Sequence, residues 1–387
     1  MEDNIFITAF TDYNPNEHGN KNLKRSAINA LFNNQEFNNK VQELNYRPRR
    51  TSQEKPSILE VNQQQGITRT QRIFKRIQEN ITSHKEQYQE KLEAQYTIFR
   101  IPKASGGTRK ITAPQDDLKL LLASMLTGFK RTNILEHDSA FAYIEKRSII
   151  DAVQVHQANR SHWFLKLDLT EFFPSFTKEV ITEKLNRLHP IHFVDDEVLN
   201  NVVEMSLFEG GLPQGSPLSP LLSNLCMVEF DHKLSNELWD YKKQHYAYTR
   251  YADDIIISSQ YDFNFEKIIK LVTKILKDCN LPHKINKEKT RYGSRAGSNW
   301  NLGLMLNKDN NITLGYKKKQ RIKATLHCFI ADFKDELYWD LQEVQEFLGL
   351  LNFAKQVEPE YWDQRIHISE EKIGISMDTV TGFYFNL

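Results

Sequence analysis

The sequence predicts an α+β fold in which an antiparallel sheet is backed by helices. Three observations predict it. First, apolar and β-branched segments at Trp163–Asp168 and Tyr248–Ser259 read as strands, the second folding back as a hairpin. Second, Ile67–Gln95 is rich in helix formers and has no internal Gly or Pro. Third, from Trp163 onward the order reads strand, helix, helix, hairpin, helix, strand, with no repeat of 20–50 residues.

At 387 residues, and roughly 100–200 per domain, the chain has room for two or three packed units. Its 40% hydrophobic and 26% charged content is ordinary for a globular protein. Mean hydropathy is −0.58, and no stretch approaches the ~20 apolar residues of a membrane span. The start, Met1-Glu-Asp-Asn4, lacks a signal-peptide pattern. A soluble, cytoplasmic protein without a membrane role is expected. Cys226, Cys279 and Cys328 lie far apart, which argues against a disulfide framework and a Cys-ligated zinc site.

The net charge of +1 conceals an asymmetry. Residues 331–387 hold 4 basic and 12 acidic side chains, so the first 330 residues are net basic. Such a split points to a nucleic-acid surface in the basic part. The acidic C-terminal segment is expected to meet protein, either a second copy or a partner.

Element by element, residues 1–66 are polar, Asn- and Gln-rich, and interrupted by Pro15, Pro48 and Pro56. They read as an accessory extension. After the 67–95 helix, Tyr96–Ile101 and Arg109–Thr112 read as strands around a Gly106-Gly107 turn, and Leu118–Leu126 as a helix. Trp163–Asp168 ends on an acidic residue and then an aromatic pair, Phe172-Phe173. An Asp at the end of a buried strand suits metal binding because the sheet holds the oxygen rigidly; it also suits a helix N-cap. The hairpin Tyr248–Ser259 displays Asp253 and Asp254 side by side in its turn. Adjacent carboxylates repel, so the pair makes sense if a divalent cation neutralises it. Between them lies Gly210-Gly-Leu-Pro-Gln-Gly-Ser-Pro217, whose glycines allow a substrate to approach closely. Ser216 and Pro217 read as the N-cap and first turn of a helix over Leu218–Trp239.

Asp168 with Phe173, Leu212-Pro-Gln-Gly-Ser-Pro217 and Tyr251-Ala-Asp-Asp254 occur in the order and spacing of reverse transcriptase palm motifs. The chain resembles bacterial reverse transcriptases of the retron, group II intron and defence-associated types. Phe99–Pro114 resembles the fingers motif that holds the incoming triphosphate, and Ala140–Ser148 the next fingers block. Ile285–Thr290 resembles motif D, and Asn301-Leu-Gly-Leu304 the primer grip. The resemblance implies a right hand: an extension at 1–66, fingers at 67–160, palm at 161–310, thumb and acidic segment at 311–387, with thumb helix around Val344–Ala354.

It further implies RNA-directed DNA synthesis with two Mg²⁺ ions. Asp168, Asp253 and Asp254 would be catalytic and metal-holding, with the Leu169 carbonyl. Arg109 is the leading triphosphate contact, with Lys103 and Lys110 beside it. Gln214, next to Gly215, would meet the nucleotide near its base and sugar. Lys289 would be a general acid or phosphate contact. Phe173, five residues after Asp168, would exclude a ribose 2′-hydroxyl and so select dNTPs. Lys317–Lys323 could track a phosphate backbone. The partners implied are an RNA template, a DNA product and dNTPs.

Within the bacterial group, the retron Asn-Ala-x-x-His block would fall where the chain reads Asp151-Ala-Val-Gln-Val-His156, a departure at the first position. The chain is therefore expected to be a defence-associated enzyme templated by a dedicated noncoding RNA, with a retron enzyme making RNA-linked single-stranded DNA as the alternative. An RNA polymerase on the same layout and a silent polymerase fold kept for nucleic-acid binding are further alternatives. A dNTP-for-NTP exchange separates the first, and full biological activity of an Asp253→Asn variant the second.

Overall fold

The computed structural model describes residues 69–87, 91–102, 106–132, 134–240, 245–295 and 302–385. The expected extension at 1–66, Lys103 and Asn301 lie outside the described residues.

Helix α1 (Arg69–Gln87) buries Phe74, Ile77 and Ile81, spaced three and four apart on one face. It ends earlier than the sequence suggests; Leu92–Gln95 forms a short 3₁₀ turn instead. Strands β1 (Tyr96–Pro102) and β2 (Thr108–Pro114) make an antiparallel hairpin. Helix α2 (Asp116–Lys130) follows and packs on α1. Next come α3 (Ile149–Ala158), β3 (Trp163–Asp168), α4 (Lys178–Leu185) and α5 (Asp196–Met205).

The helix expected over 218–239 is divided into α6 (Ser219–Cys226) and α7 (Val228–Asp240). At the join the Met227 N–H donates to both the Ser223 and Asn224 carbonyls, tightening the turn. Ser216 is not the N-cap. Leu218 holds that position, and Pro220 rather than Pro217 occupies the first helical turn.

The hairpin β4 (Ala247–Tyr251) and β5 (Asp254–Ser259) comes next, then α8 (Phe265–Asp278) and β6 (Arg291–Ser294). These strands form a four-stranded antiparallel sheet in the order β4-β5-β3-β6. The outer edge of β4 is covered: Arg250 N–H donates to the Ser139 carbonyl at 2.7 Å, and the Arg250 carbonyl accepts from Phe141 N–H at 2.9 Å. A two-residue-per-strand hairpin, β7 (Met305–Leu306) and β8 (Ile312–Thr313), leads into four helices: α9 (Tyr316–Lys334), α10 (Leu341–Val357), α11 (Pro359–Ile373) and α12 (Met377–Phe385).

Side-chain alternation along the strands gives the sheet two buried faces. Leu165, Leu167, Ile255 and Ile257 join the core shared with α1, α2 and α4–α8. Phe164 and Ile256 join a second core with Val153 and the C-terminal helices, including Leu326, Phe329 and Trp362. Each fully buried apolar side chain of this size contributes about 1.5–3 kcal/mol by leaving water.

Candidate active site

Strand register fixes the carboxylates. Asp168 at the end of β3 is the cross-strand partner of Asp254 at the start of β5. Asp253 occupies the β4–β5 turn after Ala252, whose φ is 57°. The Asp253 carbonyl accepts from Leu169 N–H at 3.0 Å, which ties the turn to the end of β3. Two stretches far apart in sequence thus bring Asp168 and the Asp253-Asp254 pair to one end of a buried sheet. Burial, then the neighbouring Asp254 and Asp168 carboxylates, push the Asp253 carboxyl above its ordinary range.

Two lysines offset the charge. Lys289 Nζ donates to Asp168 Oδ1 at 2.8 Å, and that bond, with the three carboxylates, raises the affinity of its amine for a proton. Lys166 Nζ donates to Asp254 Oδ2 at 2.8 Å. Lys166 lies two residues before Asp168, on the same strand face.

Behind the turn lies a buried polar hub. Arg250 and Asp231 are fully buried and joined by Nε and Nη2 bonds of 2.7–3.1 Å. The Tyr248 hydroxyl donates to Asp231 at 2.6 Å, and Arg250 Nη1 reaches Asn224 Oδ1 at 3.1 Å. Asn224 Nδ2 in turn donates to the Ala142 carbonyl at 2.8 Å. Every charged group here has its partner, the condition under which a buried pair is tolerated.

The Gly210–Pro217 loop closes another side. Gln214 is half-buried, and its carbonyl accepts from Thr112 N–H on β2 at 2.7 Å. Two of its glycines are also required by the protein's own backbone. A Cβ on Gly215 (φ 134°) would lie 2.7 Å from the Thr112 carbonyl oxygen, and one on Gly211 would lie 2.3 Å from the Pro174 oxygen. Both are needed for the loop to lie against protein backbone. Phe173 packs at the core's edge, its ring 5.4 Å from Phe172 and 6.2 Å from Tyr143. Arg109 is exposed on β2, close enough to Tyr143 to act on its hydroxyl. Lys110 is bound to Glu209 at 2.9 Å and sits over the Phe208 ring.

A family model described as reverse transcriptase (RNA-dependent DNA polymerase) matches residues 101–349. The chain belongs to the reverse transcriptase family. Its activity is RNA-directed DNA synthesis. It is 29% identical over 269 residues to the retron Ec73 reverse transcriptase of Escherichia coli, covering 68% of this chain and 83% of that one. It is 29% identical over 296 residues to the retron Ec83 enzyme of the same organism, covering 73% and 88%. A telomerase structure from Candida albicans aligns with a TM-score of 0.43 at 14% identity, over 72% of this chain and 56% of that one. Among its relatives this reverse transcriptase is retron-like.

Catalysis in this family depends on a divalent metal. Among the described residues, no three acidic, His or Cys side chains converge as a ready-made ligand set. Asp168 and Asp254 are instead held by lysine ammonium groups. The donors nonetheless fit in kind: they are oxygen-only and fixed at strand ends, and burial together with the neighbouring carboxylates raises the proton affinity of Asp253.

Three features of the reverse transcriptase site escaped the sequence reading. Lys166 was signalled by its place two residues before Asp168, and Tyr143 only by its place in a fingers block. The Arg250–Asp231 pair carried no local signal, since 19 residues separate its members.

The structure also explains Asp151, which departs from the retron block. It forms a capping box with Ser148 at the start of α3, accepting the Ser148 N–H while Ser148 Oγ accepts the Asp151 N–H. At this third helical position the carboxylate accepts the N-cap N–H and lies at the positive end of the helix. His156 is buried and bonded to Ser258 and Thr249, pinning α3 to the sheet.

Proposed function

We propose that Asp168, Asp253 and Asp254 form the catalytic centre, with Mg²⁺ as the divalent ion, and that the template is a dedicated noncoding RNA. The cross-strand pairing of Asp168 with Asp254, beside Asp253 in the turn, carries this reading. Oxygen-only donors favour Mg²⁺, which completes its shell with water and substrate phosphates. When bound, two such ions would stabilise the attacking 3′-oxygen and the leaving pyrophosphate oxygen. Asp168, Asp253 and the Leu169 carbonyl would hold them; Asp254, tied to Lys166, plays an accessory part.

The chain's other residues bind and orient. Arg109 offers a guanidinium fork to the triphosphate. Lys289 leaves Asp168 as substrate enters and serves as phosphate contact or general acid, its Nζ kept protonated by the surrounding carboxylates. Lys110, engaged with Glu209, has the lesser role. Gln214 meets the nucleotide, and Phe173 excludes the ribose 2′-hydroxyl.

The biological reading is antiphage defence in the cytoplasm, with the acidic C-terminal segment meeting a protein partner. A retron reading, in which the product is single-stranded DNA linked to RNA, is favoured by a specific observation: the relatives matched over two thirds of the chain are retron enzymes. The Asp151 departure does not oppose it, given the cap that Asp151 makes.

The test is dNTP incorporation with Mg²⁺ by the purified protein and its co-purifying RNA. Incorporation should vanish in Asp253→Ala/Asp254→Ala and after RNase pretreatment. Product that stays joined to RNA on a denaturing gel supports the retron reading. Full incorporation by the double variant would overturn the site assignment.

A further inference from the structure

Tyr143 stands at the edge of the site with its ring beside that of Phe173. It is 52% exposed, while its neighbour Phe141 is buried. Its φ is 64°, a left-handed conformation that is rare and strained for bulky residues. Such strain persists only where the surroundings impose it, and here they do. The Ala142 carbonyl is held by Asn224 Nδ2 at 2.8 Å, and Phe141 N–H by the Arg250 carbonyl at 2.9 Å. Arg147 Nη1 donates to the Ala140 carbonyl at 2.7 Å. The same buried hub that fixes the Tyr251–Asp254 turn therefore fixes the Tyr143 backbone.

The side chain is directed to the site. Its ring lies 6.2 Å from that of Phe173, tilted by 53°. Its hydroxyl is pushed up to about 12, by desolvation first, then by Asp253 and Tyr251, against the opposing pull of Arg109. Tyr143 thus stands among the carboxylate end of the site, the exposed guanidinium and the aromatic ring that would face the sugar.

The geometry points to Tyr143 as a nucleotide-contacting residue: its ring takes the sugar edge of the incoming nucleoside triphosphate beside Phe173. This rests on the reading of Asp253 and Phe173 given above. An aromatic face offers packing area at little entropic cost, and substrates of this class stack readily on such faces. The contact is made equally before and in the transition state, so it sets affinity rather than turnover.

The test uses two variants. Tyr143→Phe keeps the ring. Tyr143→Gly removes it and suits the positive φ, so it should melt no lower than wild type. Primer extension with Tyr143→Gly should show a KM for dNTP raised about tenfold with kcat within about twofold, while Tyr143→Phe stays within about threefold of wild type. NTPs should weaken in parallel, leaving the dNTP-to-NTP preference within about twofold. Equilibrium binding of a fluorescent dATP analogue with Mg²⁺ provides a readout that needs no turnover. Unchanged KM and unchanged analogue binding in a folded Tyr143→Gly protein would overturn the inference. A wild-type protein that binds the analogue without incorporating dNTPs would fail the proposed function and leave this contact to be judged by binding alone.

Discussion

The lysines beside the carboxylates decide how the centre behaves without metal. Lys166 and Asp254 are each about three-quarters shielded, at 25% and 22% side-chain exposure, so their pairing is screened less than a surface ion pair. Lys289 is 61% exposed and can leave Asp168 more easily. Lys166→Met should therefore lower the free energy of unfolding by about 1 kcal/mol in EDTA. The loss should shrink with Mg²⁺ present, because a bound cation replaces the missing charge. Denaturant titrations in the two conditions check this; an equal loss in both would mean that Lys166 does not compensate the cluster. At this scale the sequence was informative where chemistry is local. Asp168, Asp253 and Asp254 stood out by residue type and strand position. Asp231 and Arg250 did not, because what makes them partners is burial across two elements.

Helix α3 is an element held by a polar bond network rather than by grease alone. His156 lies between Ser258 and Thr249, at 2.6 and 2.8 Å, and burial pushes its imidazole down to about 3. His283 donates from Nε2 to the Phe172 carbonyl, and burial pushes it down to about 4. Both are neutral in the folded chain, whereas an unfolded histidine titrates near 6.5. Between pH 6.5 and about 4 the unfolded state binds more protons, so stability is fully present above 6.5 and falls as pH drops. The two groups together should give a slope of about 2 kcal/mol per pH unit across pH 4.5–6. His156→Gln should reduce that slope by about half, as read from denaturation midpoints. An unaltered slope would place the proton uptake elsewhere. Elements were legible where pattern is strong, as in the β4–β5 hairpin. The divided α6–α7 helix was not, because the bifurcated bond at Met227 leaves no mark in composition. Gly211 and Gly215 were legible as special, but the backbone contacts that also require them were not: Pro174 and Thr112, which they must clear, lie far away in sequence.

The molecule as a whole is organised around a sheet with an apolar core on each face. Phe164 and Ile256 turn one side toward α9–α11, while Leu165 and Ile257 turn the other toward α2 and α6–α8. The C-terminal helices thus cover one face of the sheet at Phe164 and Ile256 rather than standing apart from it. Their acidity pointed in the sequence to a protein-facing surface, but charge counts say nothing about which apolar residues interlock. A chain ending after Leu314 should expose Phe164 and Ile256, bind a hydrophobic dye and lose its cooperative melting transition. A soluble fragment that melts cooperatively would show that the sheet needs only one cover. For an engineer, the consequence concerns modularity. Hand-part names suggest pieces that can be exchanged at their borders, but here the border is a packed seam. A graft between relatives would have to carry Phe164, Ile256 and the helices that meet them as one inherited block.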